Sequence, residues 1–431
     1  MVNEELLWVL WQHLLFSVES LHTTTGEPII IKHTGTLNVH AGPDFSLAKL
    51  CIDGIEWAGD VEIHTKASDW YKHKHQHNPA YESVILHVVY EADIDITRAD
   101  GSCIPVLELK DRIHTMHLET YGYLMEEKKT VPCAHAIHEI PAIVMEQMKQ
   151  RVLIERLERK TDGLFQLLTD QPNWKMIAGR LIFKSFGTGL NDYLFERMAQ
   201  QMDFNKLDRL SYAPKSIEAL FFGCSGMLEK DWADDFPAAL KKEYTYLQRT
   251  QTVTCTIDSS EWKFLRTRPV NFPTIRLAQL AALFSNTDWY ASFSSITSVK
   301  YAEDFLNVSL SDYWLNHYRF DVLSKPAPKH IGKTFANTFL LNAYIPFLVL
   351  HARYYKNETT WEQVFEMLDT IQAEDNAITR VWKELGIRMD TGFDSQSGLE
   401  LYKMYCTHKK CLSCSIGFSI LRNASVSAVV K

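Results

Sequence analysis

The chain has 431 residues, 46% apolar and 23% charged, which excludes intrinsic disorder and predicts two or three domains, because a single core rarely grows so large. A formal net charge of -8 excludes wholesale wrapping around nucleic acid, although a local basic groove is compatible with it, since partners feel a patch and not the total. The eight cysteines, five scattered and three clustered, lack the spaced framework of a secreted disulfide domain.

Residues 4–18 read as a helix, with Leu6, Leu7, Leu10, Leu14 and Leu15 at helical spacing. The acids in this opening stretch are the opposite of the positive start of a signal peptide, and the apolar run is too short to span a bilayer. The expectation is a cytoplasmic protein without a membrane partner; its oligomeric state is not readable. Short alternating or β-branched stretches follow at Pro28–Thr36, Phe45–Asp53, Ile55–Lys66, Val84–Tyr90 and Ile104–Lys110. Asp53-Gly54 is a two-residue hairpin signal, because Gly supplies the positive φ that such a turn needs. Between Lys66 and Val84 the pattern predicts a short helix or ordered loop. After Ile140 apolar residues recur every three or four positions, and helices are expected at about 143–168, 172–186, 190–202, 215–228, 236–249, 273–284, 333–355, 359–373 and 376–385. The apolar run Phe335–Leu350, broken by Asn337, Asn342 and Pro346, reads as a buried core helix. The predicted fold class is α+β: an α/β domain with a mixed sheet over residues 1–130, in the order α-β-β-β-α-β, then a mostly helical domain over residues 131–431.

Thirteen of the seventeen histidines precede residue 140, and His64, His73, His75, His77 and His87 fall within 24 residues. Asp44 opens a predicted strand, and Glu62 and His64 lie two apart in the next, hence on one face. If the Asp53-Gly54 hairpin pairs these strands, Asp44 lies beside Glu62, where two carboxylates can share a divalent cation. Asp44, Glu62 and His64 are expected to converge at one end of the sheet, with Asp60, Trp70, His73, His75 and His87 lining the same site. The plainer alternative makes Asp44 a turn cap, Glu62 a solvated strand residue and the histidines packing for Trp57, Trp70 and Tyr71.

Pro43-Asp44 followed by Glu62-x-His64 resembles the core of the PD-(D/E)XK nuclease superfamily, over roughly residues 4–92. The resemblance implies that the two acids hold Mg²⁺ or Mn²⁺ and that a lysine two residues after the second acid positions water. Here that position is His64; Lys66, one pleat further, is the expected substitute. Glu108-Leu109-Lys110, with Asp93 or Asp95 before it, is a second placement of the same half-motif.

Near the C-terminus, Cys406, Cys411 and Cys414 enclose His408 in a C-x₄-C-x₂-C pattern that suits Zn²⁺ or an iron–sulfur cluster. A fourth ligand must come from His408 or from a remote thiol such as Cys133 or Cys224. The segment 327–334 matches a phosphate loop only loosely: Pro326 and Pro328 remove N–H donors, and no strand precedes them. Arg266, Arg268 and Arg276 are expected in ion pairs.

The stretches AGPDFSLAKL (41–50), GDVEIHTKASDWYKHKH (59–75), NPAYESVILHVVYE (78–91), FGTGLN (186–191), EALFFGCSGML (218–228), RPVNFPTIRLAQLA (268–281) and CLSCSIG (411–417) resemble the bacterial family called domain of unknown function 2851 from end to end. That name implies no activity. The functional expectation is a metal-dependent phosphodiesterase or nuclease-like enzyme acting on DNA or RNA; the alternative is a nucleic-acid- or protein-binding module with a degenerate nuclease core.

Overall fold

In a computed structural model, which describes residues 2–251 and 257–423, the chain opens on helix α1 (Glu4–Gln12). The Asn3 side chain accepts the Leu6 N–H at 3.1 Å, and Glu4 and Glu5 fill the first turn, where the helix dipole favours acids. The helix stops short of residue 18. Leu14 takes a left-handed backbone with φ of 51°, and the Leu15 N–H turns back to the Leu10 carbonyl at 2.9 Å, which closes the helix end as a glycine normally would.

Six strands form one sheet: β1 (Ile29–His33), β2 (Thr36–Leu37), β3 (Phe45–Ile52), β4 (Ile55–Lys66), β5 (Val84–Glu91) and β6 (Val106–Glu108). The order is β1-β3-β4-β5-β6, with β2 paired to β3; pairs up to β4 are antiparallel and those beyond it parallel. The mixed sheet matches expectation. At the β3–β4 turn Asp53 and Gly54 both have positive φ, 50° and 77°. The β4–β5 crossover carries the short helix α2 (Asp69–Lys72) and single turns at His75–His77 and Pro79–Tyr81.

Strand β4 is 12 residues long because it serves two partners: its first half pairs with β3 and its second with β5. Val61 and Ile63 point into one core with Leu6, Leu7, Leu10 and Trp11 of α1 and with Leu86, Val88 and Leu107. The opposite face buries Trp70 with Ala67, Val84, Val89 and Val106. Each fully buried Leu or Val contributes about 1.5–3 kcal/mol, so α1 is held by its apolar stripe and not by its length.

Packing divides the chain into one unit made of residues up to Arg151 together with the segment from Glu400, and a second unit, Val152–Leu399. Helix Ser415–Asn423 returns to the first unit, where Leu421 joins the α1 core and its carbonyl meets His117 Nδ1, on helix α3 (Thr115–Glu126), at 2.9 Å.

The second unit is helical around one large apolar core. Its stretch Lys333–Tyr355 is, among the described residues, the one helix long and apolar enough to cross a bilayer, and it is mostly buried. Arg266 and Arg268 are exposed, whereas Arg276 is buried against neutral partners and not in the expected ion pair: Gln279 Oε1 at 2.8 Å, Asn271 Oδ1 at 2.6 Å and the Phe335 ring.

Glu218 accepts the Trp314 indole N–H at 2.6 Å inside this core. Burial pushes its carboxyl up to about 7. A raised folded pKa gives stability that is fully present below the unfolded carboxylate value and is lost as pH rises through about 7. Glu218→Gln keeps an acceptor for the indole and removes the buried charge. It should be more stable than wild type near pH 8 by on the order of 2–3 kcal/mol, and the gain should shrink toward pH 5; melts across this range check it, and a pH-independent difference would contradict it.

Candidate metal centre

Strand β4 presents Glu62 and His64 on one face, as the two-residue period requires. What brings Asp44 to them is a bulge in β3. Ala48 lies opposite Gly59, but Phe45 lies opposite Val61, so the register slips by one residue between them. Without that slip Asp44 would face Ile63; with it, Asp44 faces Glu62. The two acids then lock the strands through the backbone: the Asp44 N–H donates to Glu62 Oε2 at 3.1 Å, and the Ile63 N–H donates to Asp44 Oδ2 at 2.9 Å.

The crossover supplies the histidines. In a continuous helix His73 and His75 would diverge, but Lys74 between them is left-handed, with φ of 61°, and both rings turn toward His64. His64 Nε2 lies 3.0 Å from His73 Nδ1 and 3.4 Å from Glu62 Oε1, and His75 Nε2 lies 3.2 Å from the same oxygen. One ring nitrogen from each of His64, His73 and His75 falls within 4.8 Å of the other two. Donors around one ion with bonds of about 2.1 Å stand roughly 3.0–3.4 Å apart, so these four side chains can share a cation.

His87 stands behind them on β5, directly opposite Glu62, and its Nε2 is hydrogen-bonded to His64 Nδ1 at 2.8 Å. A ligating imidazole commonly uses its second nitrogen in this way, which fixes tautomer and ring orientation. Trp70 closes the floor, with ring centroids 5.4 Å from His75 and 5.6 Å from His87. Tyr81 stacks on His75 at 3.8 Å and donates to the Gly42 carbonyl at 3.3 Å. His75 Nε2 is buried and makes no hydrogen bond, the mark of a donor set that a cation would complete.

Burial pushes the carboxyls of Asp44 and Glu62 well above the usual range, and the negative charge of Glu4 adds to it for both. Burial, and then the neighbouring rings, hold His64 and His87 far below the ordinary imidazole range, so both are neutral. Neutral imidazoles beside crowded carboxylates form an environment that disfavours an extra negative charge and favours a divalent cation.

The structure thus gathers Asp44, Glu62, His64, Trp70, His73, His75 and His87. Two expected members fall outside. Lys66 points to solvent and pairs with Glu91 at 3.4 Å. Asp60 supports the bulge, accepting the Leu47 N–H at 3.2 Å and the Ser83 hydroxyl at 2.6 Å. The alternative Glu108/Lys110 placement dissolves too: Glu108 accepts the Ala92 N–H, Lys110 pairs with Glu91, and Asp93 accepts the Ser68 N–H. Sequence reasoning missed Glu4, Tyr81 and Asp69; the last anchors α2 through Thr65 Oγ1 and the Lys66 N–H, both at 3.1 Å. An acid at the first turn of that crossover helix was the available signal. Among the C-terminal candidates Cys406, Cys411 and Cys414 are buried and His408 is exposed; Cys133 is buried in the same unit, and Cys224 belongs to the helical core of the other.

Because Asp60 holds the bulge without touching the ligand set, Asp60→Ala should cost about 1 kcal/mol for the lost hydrogen bond to the Leu47 N–H. If the site takes Mn²⁺, the variant should also show a smaller rise in melting temperature with that ion than wild type. A variant with an undiminished Mn²⁺ response would show that the bulge does not depend on Asp60.

The family described as Protein of unknown function (DUF2851) matches residues 4–377. No curated protein and no solved structure matches the chain. The match spans the whole candidate centre and stops before the C-terminal cysteines, which the end-to-end resemblance had included. The chain belongs to the DUF2851 family of proteins of unknown function.

Proposed function

We propose that this protein is a metal-dependent phosphodiesterase, nuclease-like in its N-terminal core, acting on DNA or RNA. The observation that supports it is the convergence of Asp44 and Glu62 with His64, His73 and His75 where β4 passes from its antiparallel to its parallel partner. Mixed imidazole and carboxylate donors suit Mn²⁺ or a similar transition ion better than Mg²⁺, which prefers oxygen and water. Bound there, the ion would act as a Lewis acid on a phosphoryl oxygen. Glu62, His64, His73 and His75 are its proposed ligands. Asp44, beside them, orients the attacking water and takes its proton. His73 is the exposed member and marks the side from which substrate enters.

One observation favours the alternative of a binding module that recognises nucleic acid or protein without turnover. The position that carries a lysine in the resembling nucleases is His64, committed to two other histidines, and Lys66 is held by Glu91. In that reading the ion is structural.

Thermal melts of wild type, Asp44→Asn and His75→Ala with Mn²⁺, Zn²⁺ and Mg²⁺, followed by cleavage assays on single- and double-stranded DNA and RNA, separate the readings. A site at one hundred times its dissociation constant stabilises by about 2.7 kcal/mol. Wild type should therefore melt several degrees higher with Mn²⁺, His75→Ala should lose that shift, and Asp44→Asn should lose cleavage. A shift in wild type without cleavage of any substrate selects the binding module. No shift with any of the ions overturns the metal centre and the enzyme with it.

A further inference from the structure

Four cysteines, three of them close in sequence and one remote, belong to the first unit. Cys133 lies in the chain between α3 and helix α4 (Ala142–Asp170), and Cys406, Cys411 and Cys414 lie in the returning segment. All four are free thiols, and none exposes more than 9% of its surface. Burial raises each thiol, and their charges add: Cys133 feels Cys414 and Cys411, while Cys406 feels all three others. They therefore lie within electrostatic reach of one another.

The backbone around them is shaped for sulfur. Lys409 is left-handed, with φ of 52°, and the Lys410 N–H closes on the Tyr405 carbonyl at 3.0 Å, which reverses the chain between Cys406 and Cys411. The Cys411 carbonyl runs so close to Gly417 that a Cβ there would sit 2.3 Å from it. This approach places Cys414 at the start of helix Ser415–Asn423. Arg151 fastens the same loop, its guanidinium donating to the Ser413 carbonyl at 3.3 Å.

The spacing bears on what fills such a site. One Zn²⁺ with Zn–S bonds of about 2.3 Å would draw four sulfurs to roughly 3.8 Å from each other. Among the described residues, these sulfurs form no group of three whose atoms lie within 4.8 Å of one another. A polynuclear cluster distributes its thiolates over several irons and accepts the wider spread.

We propose that Cys133, Cys406, Cys411 and Cys414 ligate an iron–sulfur cluster that fastens the returning C-terminal segment to the first unit. His408 is not a ligand; it faces solvent. The site is independent of the histidine centre and of the proposed hydrolysis.

The test uses the full chain, purified without oxygen and reconstituted with ferrous iron and sulfide. Iron, acid-labile sulfide and zinc are measured, together with absorbance near 400 nm. Wild type and the His408→Ala and Cys51→Ser variants should hold roughly two to four irons per chain with matching sulfide. Cys133→Ser should lose iron about tenfold. If Cys133→Ser does not fold, the metal content of wild type and of His408→Ala still decides. One zinc per chain without iron, no metal after reconstitution, or full iron retention in soluble Cys133→Ser would each overturn the proposal.

Discussion

Asp44 and Glu62 are two carboxylates held side by side in a buried stretch of sheet, each fastened to the other's strand by a backbone N–H. Like charges about 4 Å apart at the effective dielectric of a protein repel by about 4 kcal/mol, a large share of the 5–15 kcal/mol that holds a domain together. The fold does not separate them. It inserts an extra residue at Leu47 to bring them together, and it spends a third carboxylate, Asp60, on keeping that bulge in place. A proton or a cation must then resolve the crowding, and the surrounding groups lean toward the cation. His64 and His87 are held neutral, and His75 Nε2 and His87 Nδ1 make no hydrogen bond.

The same unit carries a second donor set of opposite character. Around Glu62 the donors are imidazole nitrogen and carboxylate oxygen; around Cys406 they are sulfur alone. Ligand softness sorts metals, so the two sets need not compete: hard or borderline ions suit the first and thiophilic iron or zinc the second. The first set lies within a single αββββαβ stretch. The second lies at the two places where the chain leaves the first unit and comes back to it.

Buried charge is handled differently in the helical unit. Arg276 is surrounded by amide oxygens and an aromatic ring, and Glu218 by an indole N–H. Neither has a counter-ion among these contacts, so each carries a desolvation cost that hydrogen bonds only partly offset. These groups specify which helices meet. The apolar contacts around them, Phe183, Phe221 and Phe284 among others, provide the stabilisation.

Local rules were enough for much of this. A helix with Leu6, Leu7 and Leu10 on one side, a hairpin at Asp53-Gly54, a strand with Glu62 and His64 on one face, and a run of helices after residue 140 all follow from periodicity and turn chemistry, which act over a few residues. The α+β class and the pairing of the strands that carry Asp44 and Glu62 follow from those elements. Tertiary structure alone decided the rest, because each remaining contact depends on an exception to local regularity or on residues distant in the chain. The slip at Leu47 sets Asp44 against Glu62 and not Ile63, and the left-handed Lys74 turns His73 and His75 to the same side. Glu91, a strand away, draws Lys66 out of the site. Cys133 shares a unit with the C-terminal thiols because the segment from Glu400 folds back onto it, and no spacing within residues 406–414 encodes that return.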